Sequence, residues 1–214
     1  MALLSLKPVQ GQQNIKFGVF ADPLISWYSS DTRSTSNAGS RAGFNFGFTL
    51  NKYFAKNYSF SLGLGLMNSG GNLKYADTVL IAFNNSTSKV NPGQAVNYRV
   101  QYIDVPLGLK FETNQIGYVI FFVDLGFDPK VRISAKADIP SNGVKKEAAT
   151  NEINIFTMSY HAIAGIEYSL GGSTALVFGM GYENNFIDIT KNTGLQPQDR
   201  IRQNILRFRL GVNF

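Results

Sequence analysis

The sequence predicts an all-β chain: an eight-stranded antiparallel up-and-down transmembrane β-barrel, closed, with a filled lumen. Three observations carry this. Apolar and polar residues alternate with a period of two through eight separate segments. The connections between those segments alternate long and short. The last positions, Leu206-Arg207-Phe208-Arg209-Leu210-Gly211-Val212-Asn213-Phe214, form one such alternating stretch that ends on an apolar-face aromatic.

The segments follow in order. Residues 15–25 place Ile15, Phe17, Val19 and Ala21 on one face. Residues 42–52 set Phe44, Phe46, Phe48 and Leu50 against Gly43, Asn45, Gly47 and Thr49. Residues 58–68 set Tyr58, Phe60, Leu62, Leu64 and Leu66 against Ser59, Ser61, Gly63 and Gly65. Residues 96–112 carry Ile103, Val105, Leu107, Leu109 and Phe111 opposite Asp104, Gly108 and Lys110. Residues 118–134 carry Val119, Phe121, Val123, Leu125 and Phe127 opposite Asp124, Gly126 and Asp128. Residues 152–168 place Phe156, Met158, Tyr160, Ala162, Ala164 and Ile166 opposite Thr157, Ser159, His161 and Glu167. Residues 174–190 place Leu176, Phe178, Met180 and Tyr182 opposite Gly179, Gly181 and Glu183. Residues 200–214 complete the set. The apolar faces match the ~10-residue alternating segments of membrane strands. Long connections at 26–41, 73–95, 135–151 and 191–199 are expected to be solvated loops. Short ones fall at 53–57, 113–117 and 169–173. Long outer loops with short periplasmic turns are the asymmetry of outer-membrane barrels.

A soluble barrel would turn the same apolar faces inward around a ligand. Glycine-filled polar faces, the loop asymmetry and the strand-like last residues favour apolar side chains outward. The expected location is therefore a bacterial outer membrane, with lipid and lipopolysaccharide as surroundings. Residues 1–11 (Met1-Ala2-Leu3-Leu4-Ser5-Leu6, then Val9-Gln10-Gly11) read as the remnant of a secretory signal. Residues 12–214 read as one barrel domain. Phe208, Leu210, Val212 and Phe214 are expected to form the C-terminal signal read by the outer-membrane barrel assembly machinery.

Composition removes several functions. With no cysteine, neither a disulfide framework nor a thiolate metal site can form, and a single histidine excludes a multi-His site. No metal and no cofactor are expected. The formal charge of +6 is scattered, without a basic cluster interleaved with aromatics, so nucleic acid is not an expected partner.

With apolar faces outward, the lumen collects Lys16, Asp22, Asp104, Lys110, Asp124, Asp128, Glu167, Glu183, Arg207 and Arg209. Eight strands leave an interior just wide enough for side chains. Unpaired buried charge is very costly. Lys16, Asp104, Lys110, Asp124, Glu167, Glu183, Arg207 and Arg209 are therefore expected to form an ion-pair network, with Asp104, Asp124 and Glu183 serving the two arginines. Ser159 and His161 share a face, and Glu167 or Glu183 could complete an acyl-transfer triad. That face is the lumen, whereas a lipid-modifying enzyme works at the lipid surface, so no catalysis is expected. The aromatic and Asn-rich stretches at Asn97-Tyr98 and 182–185 are expected to lie in an interface belt.

Tyr102-Ile103-Asp104-Val105-Pro106-Leu107-Gly108-Leu109-Lys110 resembles the Pro-containing strand of the PorT-like outer-membrane β-barrel family. The resemblance implies an eight-stranded barrel with a periplasmic N-terminus. It implies the role of a scaffold or accessory subunit of an envelope complex, with type IX protein secretion as the namesake's process. A lipid A-modifying enzyme and a small-ligand-binding barrel are the alternatives. Pro106 lacks a ladder donor, so a local bulge is expected there.

Overall fold

Alternation along each strand decides which side chains meet lipid and which meet one another. The computed structural model describes residues 15–191 and 199–214; the expected signal remnant lies outside them. In chain order the strands are β1 (Ile15–Ser30), β2 (Thr35–Gly39), β3 (Arg41–Ala55), β4 (Tyr58–Tyr75), β5 (Val79–Ala82), β6 (Thr87–Val90), β7 (Ala95–Asp104), β8 (Leu107–Glu112) and β9 (Val119–Ile139). After a single 3-10 turn at Pro140–Asn142 come β10 (Val144–Ala148), β11 (Phe156–Gly171), β12 (Thr174–Asn185) and β13 (Ile201–Asn213). The wall is a ring of 8 antiparallel strands. Its order is β1, β3, β4, the broken strand β7–β8, β9, β11, β12 and β13, and β13 pairs back onto β1. At the seam, Phe17 and Phe214 exchange backbone hydrogen bonds of 3.1 and 2.8 Å. Phe208, Leu210 and Phe214 point outward.

Side-chain exposure decides the direction of the faces. Phe46, Phe48, Phe60, Leu64, Phe121, Phe127, Phe178 and Met180 are all exposed, Phe48 by 67%. They belong to a band that encircles the ring. A water-soluble surface rarely carries contiguous apolar patches beyond a few hundred Å2. On β4 the band runs from Tyr58 to Leu66, about 26 Å along the strand. Glycine serves the crowded inner face. Gly47 faces Gly65, and Gly108 faces Gly126, across neighbouring strands. A side chain at Gly126 would run into the Leu107 carbonyl, and one at Gly47 into that of Leu64.

Pro106 breaks the ladder without a bulge. Asp104 pairs with Gly65 and Leu107 with Leu62 on one side, and Asp104 with Lys130 and Leu107 with Phe127 on the other, so no residue is inserted. The pyrrolidine ring lies against Gly63, whose absent side chain leaves it room; a Cβ there would sit 3.2 Å from the ring. The register shift lies higher, between Gln101 and Tyr102, where β9 carries an extra residue.

The connections at 26–41, 73–95 and 135–151 are not solvated loops, while most of the one expected at 191–199 lies outside the described residues. β1, β4, β7 and β9 continue past the apolar band, β2 and β10 add to their edges, and the hairpin β5–β6 folds over the opening. In this extension the alternation keeps its parity on β7 and inverts its chemistry. Asn97, Arg99 and Gln101 point out, while Val96, Tyr98, Val100 and Tyr102 are buried. Leu73, Tyr75, Val79, Ile81, Phe83, Val90, Ala135, Ala137, Ile139, Ile153 and Ile189 join them in one apolar core. This cap is an ordinary water-side hydrophobic core standing on a membrane-type wall. Tyr98 therefore sits at its centre, fully buried, and not in an interface belt. Tyr182 does face outward.

Glu152 is buried under the hairpin. Its Oε1 accepts a 2.6 Å hydrogen bond from the Ala82 amide, and Oε2 has no protein partner. Burial pushes the carboxyl up to about 7, opposed by the Ala82 bond. A carboxyl raised in the folded state binds a proton that the unfolded state releases. Its contribution is complete below the ordinary glutamate range and is lost as pH rises to about 7. The difference corresponds to at most about 3 kcal/mol. Exchange of hairpin amides 79–90, corrected for intrinsic rates, is expected to be more protected at pH 5 than at pH 8. Glu152→Gln is expected to flatten that dependence, and an unchanged pH response in the variant would assign it elsewhere.

The lumen as the candidate functional site

The lumen inherits every inward position of the ring. β1 contributes Lys16 and Asp22, β3 Asn45, β7 Asp104, β8 Lys110, and β9 Asp124, Asp128 and Lys130. β11 contributes Ser159, His161 and Glu167, β12 Glu183, and β13 Arg207 and Arg209. All are buried except Lys16, which is partly exposed at the short-turn mouth.

Next to the cap, Arg207 pairs with Glu183 and reaches Asp128 at 3.5 Å. Lys130 pairs with the other Glu183 oxygen and donates to Ser159 Oγ at 2.9 Å. His161 Nδ1 lies 2.9 Å from Asp128, and Nε2 lies 3.6 Å from Asp124. Arg209 forks onto Asp22, with Nε 3.2 Å from both oxygens and Nη2 2.9 Å from one, and lies over the Phe20 ring at 4.6 Å. Toward the short turns, Lys110 donates to Glu167, pairs with Glu112 at 2.9 Å and sits over the Phe122 ring at 4.7 Å. Asn213 donates to Glu167 at 2.8 Å, Lys16 approaches it at 3.7 Å, and Tyr53 donates to Glu112 at 2.7 Å. Charge-assisted bonds of this kind are the strong class. They are needed here because each buried charge would otherwise carry its full desolvation cost.

The structure thus places all eight sequence-predicted residues on the lumen side but divides them differently. Glu183 serves Arg207. Arg209 goes to Asp22, not to Asp104 or Asp124, because β13 lies beside β1, where Ala21 pairs with Leu210. Asp104 accepts a 2.8 Å bond from Asn45, and its other oxygen has no protein partner. Lys130 and Glu112 were not among the sequence candidates. Both were readable by parity, Lys130 with Asp124 and Asp128, and Glu112 with Lys110. The triad geometry does not form. Ser159 Oγ is engaged by Lys130, and the His161 ring is engaged by Asp128. Among the described residues no group of His, Cys, Asp and Glu could hold a metal ion.

The family model for the outer membrane protein beta-barrel domain matches residues 10–191. The chain belongs to this family. This barrel accordingly resides in the bacterial outer membrane, and its exposed apolar band is lipid-facing. Its fold is similar to that of neisserial surface protein A (14% identity, TM-score 0.48, covering 92% of this chain and 95% of that one). It is similar also to OprG from Pseudomonas aeruginosa (13%, TM-score 0.49, 93% of each chain). The attachment invasion locus protein Ail of Yersinia pestis matches at 13% identity and TM-score 0.44, over 93% of this barrel and 98% of Ail. No curated protein matches by sequence.

Proposed function

We propose that this outer-membrane barrel is a non-enzymatic scaffold, an accessory subunit of an envelope complex. In this reading its short turns lie in the periplasm and its cap stands at the cell surface. The observation that carries the reading is the occupied lumen, a bonded charge network closed over by an apolar core. Such an interior offers no polar path for a solute, and its hydroxyl and imidazole are held by lumen partners away from the lipid face. The function then rests with the outer wall, the cap and the turns. The asymmetry of connections supports the orientation. The 102–110 strand, with its resemblance to PorT-like barrels, supports type IX protein secretion as the process.

Gentle solubilisation of native membranes followed by affinity purification of the tagged barrel tests this. A stoichiometric partner protein is the expected result, together with a silent trace when the purified barrel is placed in a planar bilayer. A barrel that purifies alone under several mild detergents, or that conducts ions steadily, would remove the proposal.

A further inference from the structure

Just past the lipid-facing band, on the cap side, the outer wall turns cationic. Arg41, Arg99, Lys136 and Lys146 line one open cleft of about 400 Å3, together with Asn68 and Gln101. Asp138 is the single carboxylate bonded there, and it is used to position the site. Its Oδ2 takes Arg99 Nε and Nη2 at 2.9 and 2.7 Å, and its Oδ1 accepts the Lys146 backbone N–H at 2.6 Å. Lys146 holds φ at 51°, an uncommon conformation for a residue with a side chain. Arg41 lies across Gly70. A side chain there would strike the Tyr98 carbonyl and come 3.0 Å from Arg41 Cδ. Among the described residues, Arg41, Lys136 and Lys146 have no side-chain ion pair. Burial and then the charge of Arg99 hold the Arg41 guanidinium below its ordinary value, with Asp138 acting the other way. Like charges gathered on a clamp are relieved by an anion.

The depth of the cleft identifies the anion. Arg99 pairs with Gly70 and Lys136. It is four residues beyond Ile103, which pairs with Leu66, the last outward apolar residue on β4. Four residues span ~13 Å along the strand, or roughly 10 Å of height at the usual barrel tilt. The headgroup layer occupies roughly the first 5–8 Å beyond the hydrocarbon, within reach of these long side chains. A guanidinium matches phosphate oxygens bidentately, and a lysine adds a point charge.

We propose that this cleft binds the phosphorylated headgroup of an outer-leaflet lipid, with Arg99 and Arg41 forking the phosphate and Lys136 and Lys146 closing around it. The choice of leaflet rests on the orientation proposed above; the site itself does not.

The test uses the purified barrel in zwitterionic detergent, titrated with bisphosphorylated lipid A, with the same lipid dephosphorylated, and with inorganic phosphate. The phosphorylated lipid is expected to bind at least about tenfold more tightly than the dephosphorylated one. Arg99→Gln with Lys136→Gln is expected to abolish that preference. Lys52→Gln with Lys56→Gln, at the other end of the barrel, is expected to leave it intact. Lys136→Gln alone, at an exposed side chain, is expected to lose about threefold and keeps the test open if the double variant folds poorly. Equal binding of both lipids, equal loss in the control pair, or inorganic phosphate competing at the lipid's own concentration would each overturn the proposal, the last by making it a free-anion site. Binding in micelles does not depend on membrane orientation. Orientation is read separately, by labelling Ser88→Cys on whole cells with an impermeant maleimide, so the two readings fail independently.

Discussion

Arg207→Ala is expected to destabilise the barrel by about 3–5 kcal/mol. Arg207 is fully buried and is the shared partner of Glu183 and Asp128. Removing it strands two carboxylates in a narrow lumen, with Lys130 left to balance Glu183 and His161 left to balance Asp128. Most of the loss comes from that uncompensated charge, so removing charge from the acid should recover part of it. The double variant Arg207→Ala, Glu183→Gln is therefore expected to be more stable than Arg207→Ala alone. The urea midpoint of the heat-modifiable gel shift measures both. A double variant that falls by the sum of the two single losses would show that Arg207 acts by packing and not by pairing.

The same residues show what a sequence of this kind discloses. Parity put Arg207, Arg209, Glu183 and Asp124 in the lumen, because a period of two leaves a strand only two faces. It could not say that Arg209 meets Asp22 while Asp104 meets Asn45. Partners across strands depend on register and shear, which alternation does not encode. The cap was hidden for a different reason. Tyr98 and Val100 alternate with Arg99 and Gln101 as regularly as Phe46 and Phe48 alternate with Asn45 and Gly47. Along the lower wall the apolar face seeks lipid; above it, water surrounds the wall and the apolar face turns in. One pattern carries opposite directions in two solvents, and nothing local marks the crossing. On β7 the crossing falls between Tyr102, buried in the cap, and Ile103, exposed to lipid. On β9 it coincides with the extra residue at the register shift, which moves the inward positions from Asp128 and Lys130 to Ala135 and Ala137. Pro106 misled for a related reason. A missing donor suggested an inserted residue, but the glycine across the strand pair absorbed the ring instead.

If the cap is a water-side core, Tyr98→Ala is expected to loosen it by about 3–5 kcal/mol while leaving the membrane wall folded. The Tyr98 ring packs edge-on to Tyr28 at 6.3 Å, and its hydroxyl lies 3.2 Å from that of Tyr75, with all three residues buried. Truncation leaves a cavity that neither lipid nor bulk water fills readily. At an outward position such as Phe48, by contrast, lipid chains occupy the space that a truncated side chain vacates. Tyr98→Phe keeps the ring and forfeits one hydrogen bond, a loss of about 1 kcal/mol. Amides of the β5–β6 hairpin are expected to exchange faster in Tyr98→Ala, and the hairpin to become cleavable by added protease, while the gel shift of the barrel persists. That outcome would make the cap a cooperative unit of its own, able to open without unzipping the wall. Loss of the gel shift together with hairpin protection would instead make wall and cap one unit, and Val100 and Tyr102 would then stabilise the membrane strands directly through β7.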